Sequence, residues 1–139
     1  MKKQGCKVDY AAARGEEVKR AFRKAWECAA SMVSGYQPDV DHVAALAVRF
    51  PAPRFYVSEE RAAAVVGQMM RGEPVTDGMR ESKRRMYAEL LRRVRLLRAK
   101  QPAATLVDLV ASVIYEPAPE FYIEPATALF IMSRMRTAG

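Results

Sequence analysis

A chain of 139 residues, half of them hydrophobic and 28% charged, has the composition of a folded globular protein, which excludes a disordered or low-complexity one. No apolar run approaches the ~20 residues of a membrane span, and the opening MKKQGCKVDY lacks a signal peptide's apolar core, so the expected address is the cytoplasm. The net charge of +7 suggests an anionic partner such as nucleic acid, while two cysteines without metal or disulfide spacing exclude a cysteine-built scaffold.

The first helix is expected over residues 14–34, where Phe22, Ala25, Trp26, Ala29 and Met32 recur at helical spacing on one apolar stripe. Cys28, on the same helix, is expected to be partly buried. Gln37-Pro38 stops this helix, since proline lacks the N–H the next turn requires. A second helix, 39–50, starts at Asp39, whose carboxylate can cap it. His42, the sole histidine, falls early in that helix and reads as a surface residue. The PAPRFY segment then ends the helix, because Phe50 and Ala52 precede prolines and are steered away from the α region. If the following FYV is extended, Phe55 and Val57 share one face and plug the core while Tyr56 points the other way.

Ser58 suits an N-cap for a third helix, 58–71, with Glu59 and Glu60 in the first turn where the helix dipole favours negative charge. GEPVTDG, residues 72–78, reads as a linker. The fourth helix, 79–100, has the sharpest pattern: Met86, Tyr87, Leu90, Leu91, Val94 and Leu97 cluster on one side, with Arg84, Arg85, Arg92 and Arg95 on the other. Residues 79–101 carry nine basic and two acidic side chains, so this one segment holds the equivalent of the whole net charge. After Gln101-Pro102 a fifth helix, 105–115, opens on Thr105 and Asp108 as a capping box. The sixth, 124–136, places Pro125 at the first helical position and is apolar nearly all round, from Ala126, Ala128, Leu129 and Phe130 to Ile131, Met132 and Met135.

The chain repeats itself. From Val43, VAALAVRFPAPRFYVSEERAAAVVGQMM aligns without gaps on LVASVIYEPAPEFYIEPATALFIMSRMR from Leu109, superposing Phe55 and Tyr56 on Phe121 and Tyr122. The apolar stripes of the first and fourth helices continue the match backwards, as do the two Gln-Pro stops. The expected fold is therefore all-α, six helices arranged as two tandem three-helix units, 14–71 and 79–136, joined by 72–78.

No phosphate-cradling glycine loop, nucleophile elbow or metal-ligand cluster appears in the sequence, so no enzyme activity, cofactor or metal is expected. The whole chain resembles small proteins of bacterial prophages and mobile elements that carry PAPxFY twice, a resemblance that covers mainly the connectors and implies no function. Its three-helix units also resemble helix-turn-helix DNA-binding architecture, which implies binding to nucleic acid, DNA above all. The connectors are longer than the usual turn, and Glu59 and Glu60 would repel phosphates at the end of a recognition helix. The expected phosphate contacts therefore come from the fourth helix, through Arg84, Arg85, Arg92 and Arg95, with Tyr56 and Tyr122 as further candidates. The competing expectation is a protein-interaction or assembly module, homo-oligomeric through the sixth helix, with methionines available to adapt to a partner.

Overall fold

Six helices form the computed structural model: α1 Lys2–Met32, α2 Val40–Ala47, α3 Glu59–Met70, α4 Glu81–Lys100, α5 Leu106–Ile114 and α6 Pro125–Ala138. It describes the backbone of residues 2–33 and 39–138 and the side chains of 15–33 and 39–134. The expected Gln37-Pro38 stop, and the Cys6 and Met135 side chains, lie outside the described residues. Among those described there is no β-strand, and no helix is long and apolar enough to cross a membrane.

Local chemistry sets most helix ends where the sequence places them. Asp39 accepts a hydrogen bond from the Asp41 N–H at 3.2 Å, Ser58 Oγ from the Arg61 N–H at 3.1 Å, and Thr105 Oγ1 from the Asp108 N–H at 3.1 Å. Each satisfies one of the donors a helix start leaves open. Pro125 opens α6 as expected. At the end of α3, Gly72 takes φ +83°, the Gly72 N–H bonds the Met69 carbonyl and the Glu73 N–H the Gln68 carbonyl, both at 3.0 Å. That pair of reversed bonds needs a left-handed residue, which glycine adopts without a Cβ clash. The first helix starts at Lys2 rather than at residue 14; Ala11, Ala12 and Ala13 are strong helix formers and no proline interrupts the stretch.

Two compact units emerge, and they do not follow the repeat boundaries. One comprises Met1–Phe50 with Glu124–Gly139, the other Pro51–Ile123. In the first, α2 packs on α1 and on α6; its buried side chains include Phe22, Ala25, Ala29, Val43, Ala47 and Ala128. In the second, α3, α4 and α5 all pack on one another. Its core is built from Phe55, Val65, Val66, Met86, Leu90, Val94, Leu109, Val113 and Ile114. The third helix of each sequence repeat is thus grouped with the first two helices of the other, and the expected linker 72–78 lies inside the second unit.

The connectors show what this grouping rests on. Both belong to the second unit, where they run antiparallel: the Ala52 N–H bonds the Ala118 carbonyl and the Ala118 N–H the Ala52 carbonyl, each at 2.9 Å. Ala52 and Ala118 are equivalent positions of the repeat, so each connector pairs with its own copy. The prolines on either side of each alanine have no N–H to offer on the opposite edge of either connector. Around it Phe55 stacks on Tyr122, with ring centroids 5.9 Å apart, and Tyr56 stacks on Phe121 at 6.3 Å.

The two connectors differ in one residue's conformation. In the first, Phe55 and Val57 are buried and Tyr56 is half-buried, as extended alternation requires. In the second, Tyr122 takes φ +60°, a left-handed conformation that costs a non-glycine residue on the order of 1 kcal/mol. The alternation breaks there, so Phe121 and Tyr122 are both buried and Ile123 is half-exposed, unlike the buried Val57 at the equivalent position.

Candidate nucleic-acid interface

The side chains of α4 serve three directions. Met86, Tyr87, Leu90 and Val94 are buried, as the stripe predicted, while Leu91 and Leu97 at its margins are only half-buried. Arg84, Arg92 and Arg95 are exposed on the opposite side together with Ala88 and Ala99. Between the two lies a row at four-residue spacing, Arg85, Glu89 and Arg93, which ties the helix to the second connector.

That third row sets Arg85 apart from Arg84, Arg92 and Arg95. Arg85 Nε donates to the buried Glu120 carboxylate at 2.8 Å and a second nitrogen lies 3.9 Å from Glu81. It is therefore an anchor for the connector and does not belong to the open arginine face. Arg93 Nε donates to Glu89 at 2.7 Å, and its Nη1 reaches the Glu116 carboxylate at 3.3 Å and the Pro117 carbonyl at 3.0 Å. The Arg93 guanidinium also lies 5.0 Å from the centre of the Phe55 ring, a cation–π placement. Arg54 plays a matching part for the first connector, donating to the carbonyls of Phe55 and Val57 and stacking 4.3 Å over Tyr115. The Tyr115 hydroxyl in turn donates to Glu59 at 2.9 Å.

Of the remaining arginines, Arg92 grips Glu89 through Nε at 3.1 Å and Nη2 at 2.6 Å. This bond, with those of Arg93, holds the Glu89 carboxyl below its ordinary pKa, and raises that of Arg92. Arg84 lies 3.9 Å from Glu81, and Arg95 has no carboxylate partner among the described residues. Arg98 closes the helix by donating to the Ala104 carbonyl at 3.0 Å. The open face thus presents Arg84, Arg92 and Arg95, beside the exposed Leu96 and Lys100.

The two candidate tyrosines are placed unequally. Tyr56 is half-buried, with the Arg54 guanidinium 5.5 Å from its ring centre. Tyr122 is 7% exposed and its hydroxyl pKa is pushed up from 10 to about 12, by burial first and then by the nearby Glu120 and Glu89 carboxylates. It is a core ring, poorly placed to reach a phosphate. Because the folded value lies above the unfolded one, this contribution to stability is complete below pH ~10 and disappears as pH rises through ~12. Tyr122→Phe should cost roughly 1 kcal/mol or less at neutral pH. It should also remove about 2 kcal/mol of the alkaline loss, read from urea unfolding at pH 8 and pH 11.5; an alkaline limb identical to that of the parent protein would contradict this burial effect.

The same carboxylate offers a sharper comparison. Arg93→Leu should destabilise the fold by about 2 kcal/mol, since Glu89, Glu116 and the Pro117 carbonyl all lose a charged donor. Arg92→Leu, at an exposed position, should be nearly silent in the same thermal melts. Equal losses in the two variants would show that the connector is not held through Arg93.

Elsewhere, Cys28 is exposed, contrary to the partial burial expected of it, and His42 is exposed as expected. No group of three or more His, Cys, Asp or Glu side chains that could hold a metal occurs among the described residues. On α6, Ala128 is buried, but Phe130 is 60% exposed with the Arg134 guanidinium 5.4 Å from its ring centre. Compared with known proteins, the chain matches no family model, no curated protein and no solved structure.

Proposed function

We propose that this chain binds nucleic acid, duplex DNA in the first place, through phosphate contacts from the exposed face of α4. The observation that carries the reading is the exposed arginine row Arg84, Arg92 and Arg95, the first two beside carboxylates of their own helix, in a segment whose charge excess equals that of the whole chain. Guanidinium groups donate in a fork that matches phosphate oxygens, and such contacts set affinity and position without reading sequence. Helix α3 is the weaker candidate for a groove, because Glu59 and Glu60 are exposed in its first turn. We also read the chain as a duplicated three-helix unit with exchanged third helices, a reading supported by the PAPxFY repeat and by the pairing of equivalent connector positions. The test is fluorescence anisotropy with a labelled duplex and a labelled RNA of equal length at two salt concentrations. Binding that weakens steeply with salt supports the proposal, and no binding at low salt removes it. The second reading, self-assembly through α6, is favoured by the exposed Phe130 ring and predicts a mass that rises with concentration in analytical ultracentrifugation.

A further inference from the structure

Four residues apart along α4, Arg92, Leu96 and Lys100 form one exposed ridge. Leu96 is 56% exposed, a large aliphatic side chain set between two cations. A hollow opens on either side of it. One, of about 180 Å³, lies between α4 and α5, lined by Leu97 and Val113 with Lys100 at its rim. The other, of about 330 Å³, runs along α4 beside Ala88, Leu91 and Arg95. The far rim of the first is fixed in place, since Arg93 Nη1 donates to the Glu116 carboxylate at 3.3 Å and to the Pro117 carbonyl at 3.0 Å.

Charge around these hollows is one-sided. Residues 90–100 hold four arginines and one lysine but no carboxylate, and neither Arg95 nor Lys100 has an acidic partner among the described residues. A phosphate backbone would use the cations and leave Leu96 and the hollows beside it wetted. Small-molecule sites start at roughly 300 Å³ and enclose their ligand. The α4–α5 hollow is smaller and suits a single apolar side chain. The complement of an exposed leucine edged by cations is an apolar anchor edged by acids.

We propose that this ridge docks an acidic peptide segment of a partner protein, one of its apolar side chains entering the α4–α5 hollow beside Leu96 while its carboxylates meet Arg92, Arg95 and Lys100. Glu116 on the far rim repels acid there and so sets which way the segment lies. The inserted side chain supplies affinity, and the cations select against neutral and basic segments. Arg92 and Arg95 are shared with the face proposed for duplex, whereas Leu96 and the α5 wall are not, so the two activities separate at Leu96.

The test titrates the full chain into a short labelled helical peptide with leucines one turn apart among glutamates, followed by fluorescence anisotropy. One control peptide carries Gln for every leucine, the other Gln for every glutamate. Saturable binding of the acidic leucine peptide is expected, with both controls weaker by roughly tenfold or more. Leu96→Gln should weaken the peptide roughly tenfold, the scale of one lost apolar anchor. Lys100→Gln should weaken it less, as one exposed charge among several. Both side chains are exposed, so neither variant should shift the melting temperature. Leu96→Gln should also leave duplex affinity and its salt slope unchanged. Equal binding of the peptide without leucines, or full binding by Leu96→Gln, would overturn the site. Duplex affinity that falls as far as peptide affinity in Leu96→Gln would assign the ridge to nucleic acid instead, and a Leu96-dependent rise of mass with concentration would assign it to a second copy of this chain. Peptide binding in a chain that fails to bind duplex leaves this site standing and removes only the duplex reading.

Discussion

Replacing Phe55 with Ala should lower the unfolding free energy by about 3–5 kcal/mol in urea. The ring is fully buried, stacks on Tyr122 and lies under the Arg93 guanidinium, so removing it empties a volume that several fixed groups line. Those neighbours cannot simply close in: Tyr122 is held in a left-handed conformation and Arg93 is tied to two carboxylates and a carbonyl. Phe121, at the equivalent position of the repeat, is 5% exposed and stacks on the half-buried Tyr56. Phe121→Ala should therefore fall toward the lower end of the same range. A Phe55→Ala loss below about 1 kcal/mol would mean that the connector pair is not part of the core.

The largest functional effect should come from changing Arg84, Arg92 and Arg95 together to Gln. Duplex affinity should drop roughly ten- to hundredfold at low salt, with each exposed guanidinium contributing modestly and the three acting in parallel. The slope of log affinity against log salt should shrink by about 0.9 per lost phosphate contact, hence by at most about 2.7. Helix content should not change, because the three side chains lie away from the buried stripe and Gln is a comparable helix former. Arg85→Gln is the informative contrast. Its guanidinium is bound to the buried Glu120, so this variant should lose stability while leaving the salt slope of the folded protein almost intact. An unchanged slope in the triple variant would remove α4 from the model of binding and turn attention to Phe130 on α6.

Much of this molecule was legible residue by residue. Asp39, Ser58, Thr105 and Pro125 mark helix starts because capping is an interaction among residues within three positions of each other. The buried stripe Met86, Tyr87, Leu90 and Val94 follows from helical period alone, and Phe55 from the alternation of an extended segment. What periodicity cannot express is which partner a face meets. Arg84 and Arg85 read alike as neighbours in a basic run, yet one is exposed beside Glu81 of its own helix and the other is bound to a carboxylate 35 residues away. Glu120 itself reads as a connector residue until the connector is laid against α4.

The repeat shows the same division. Sequence alone establishes that the chain contains two copies of one pattern, because aligned residues are a property of the string. It does not fix whether a third helix folds back on its own copy or joins the other, since equivalent helices offer similar apolar faces to either. The tertiary structure adds what the string does not contain, a bridge between Ala52 and Ala118 and the stacking of Phe55 on Tyr122 and of Tyr56 on Phe121 around it. The left-handed turn at Tyr122, unmarked by any glycine or asparagine, exists because those tertiary contacts outweigh its local cost.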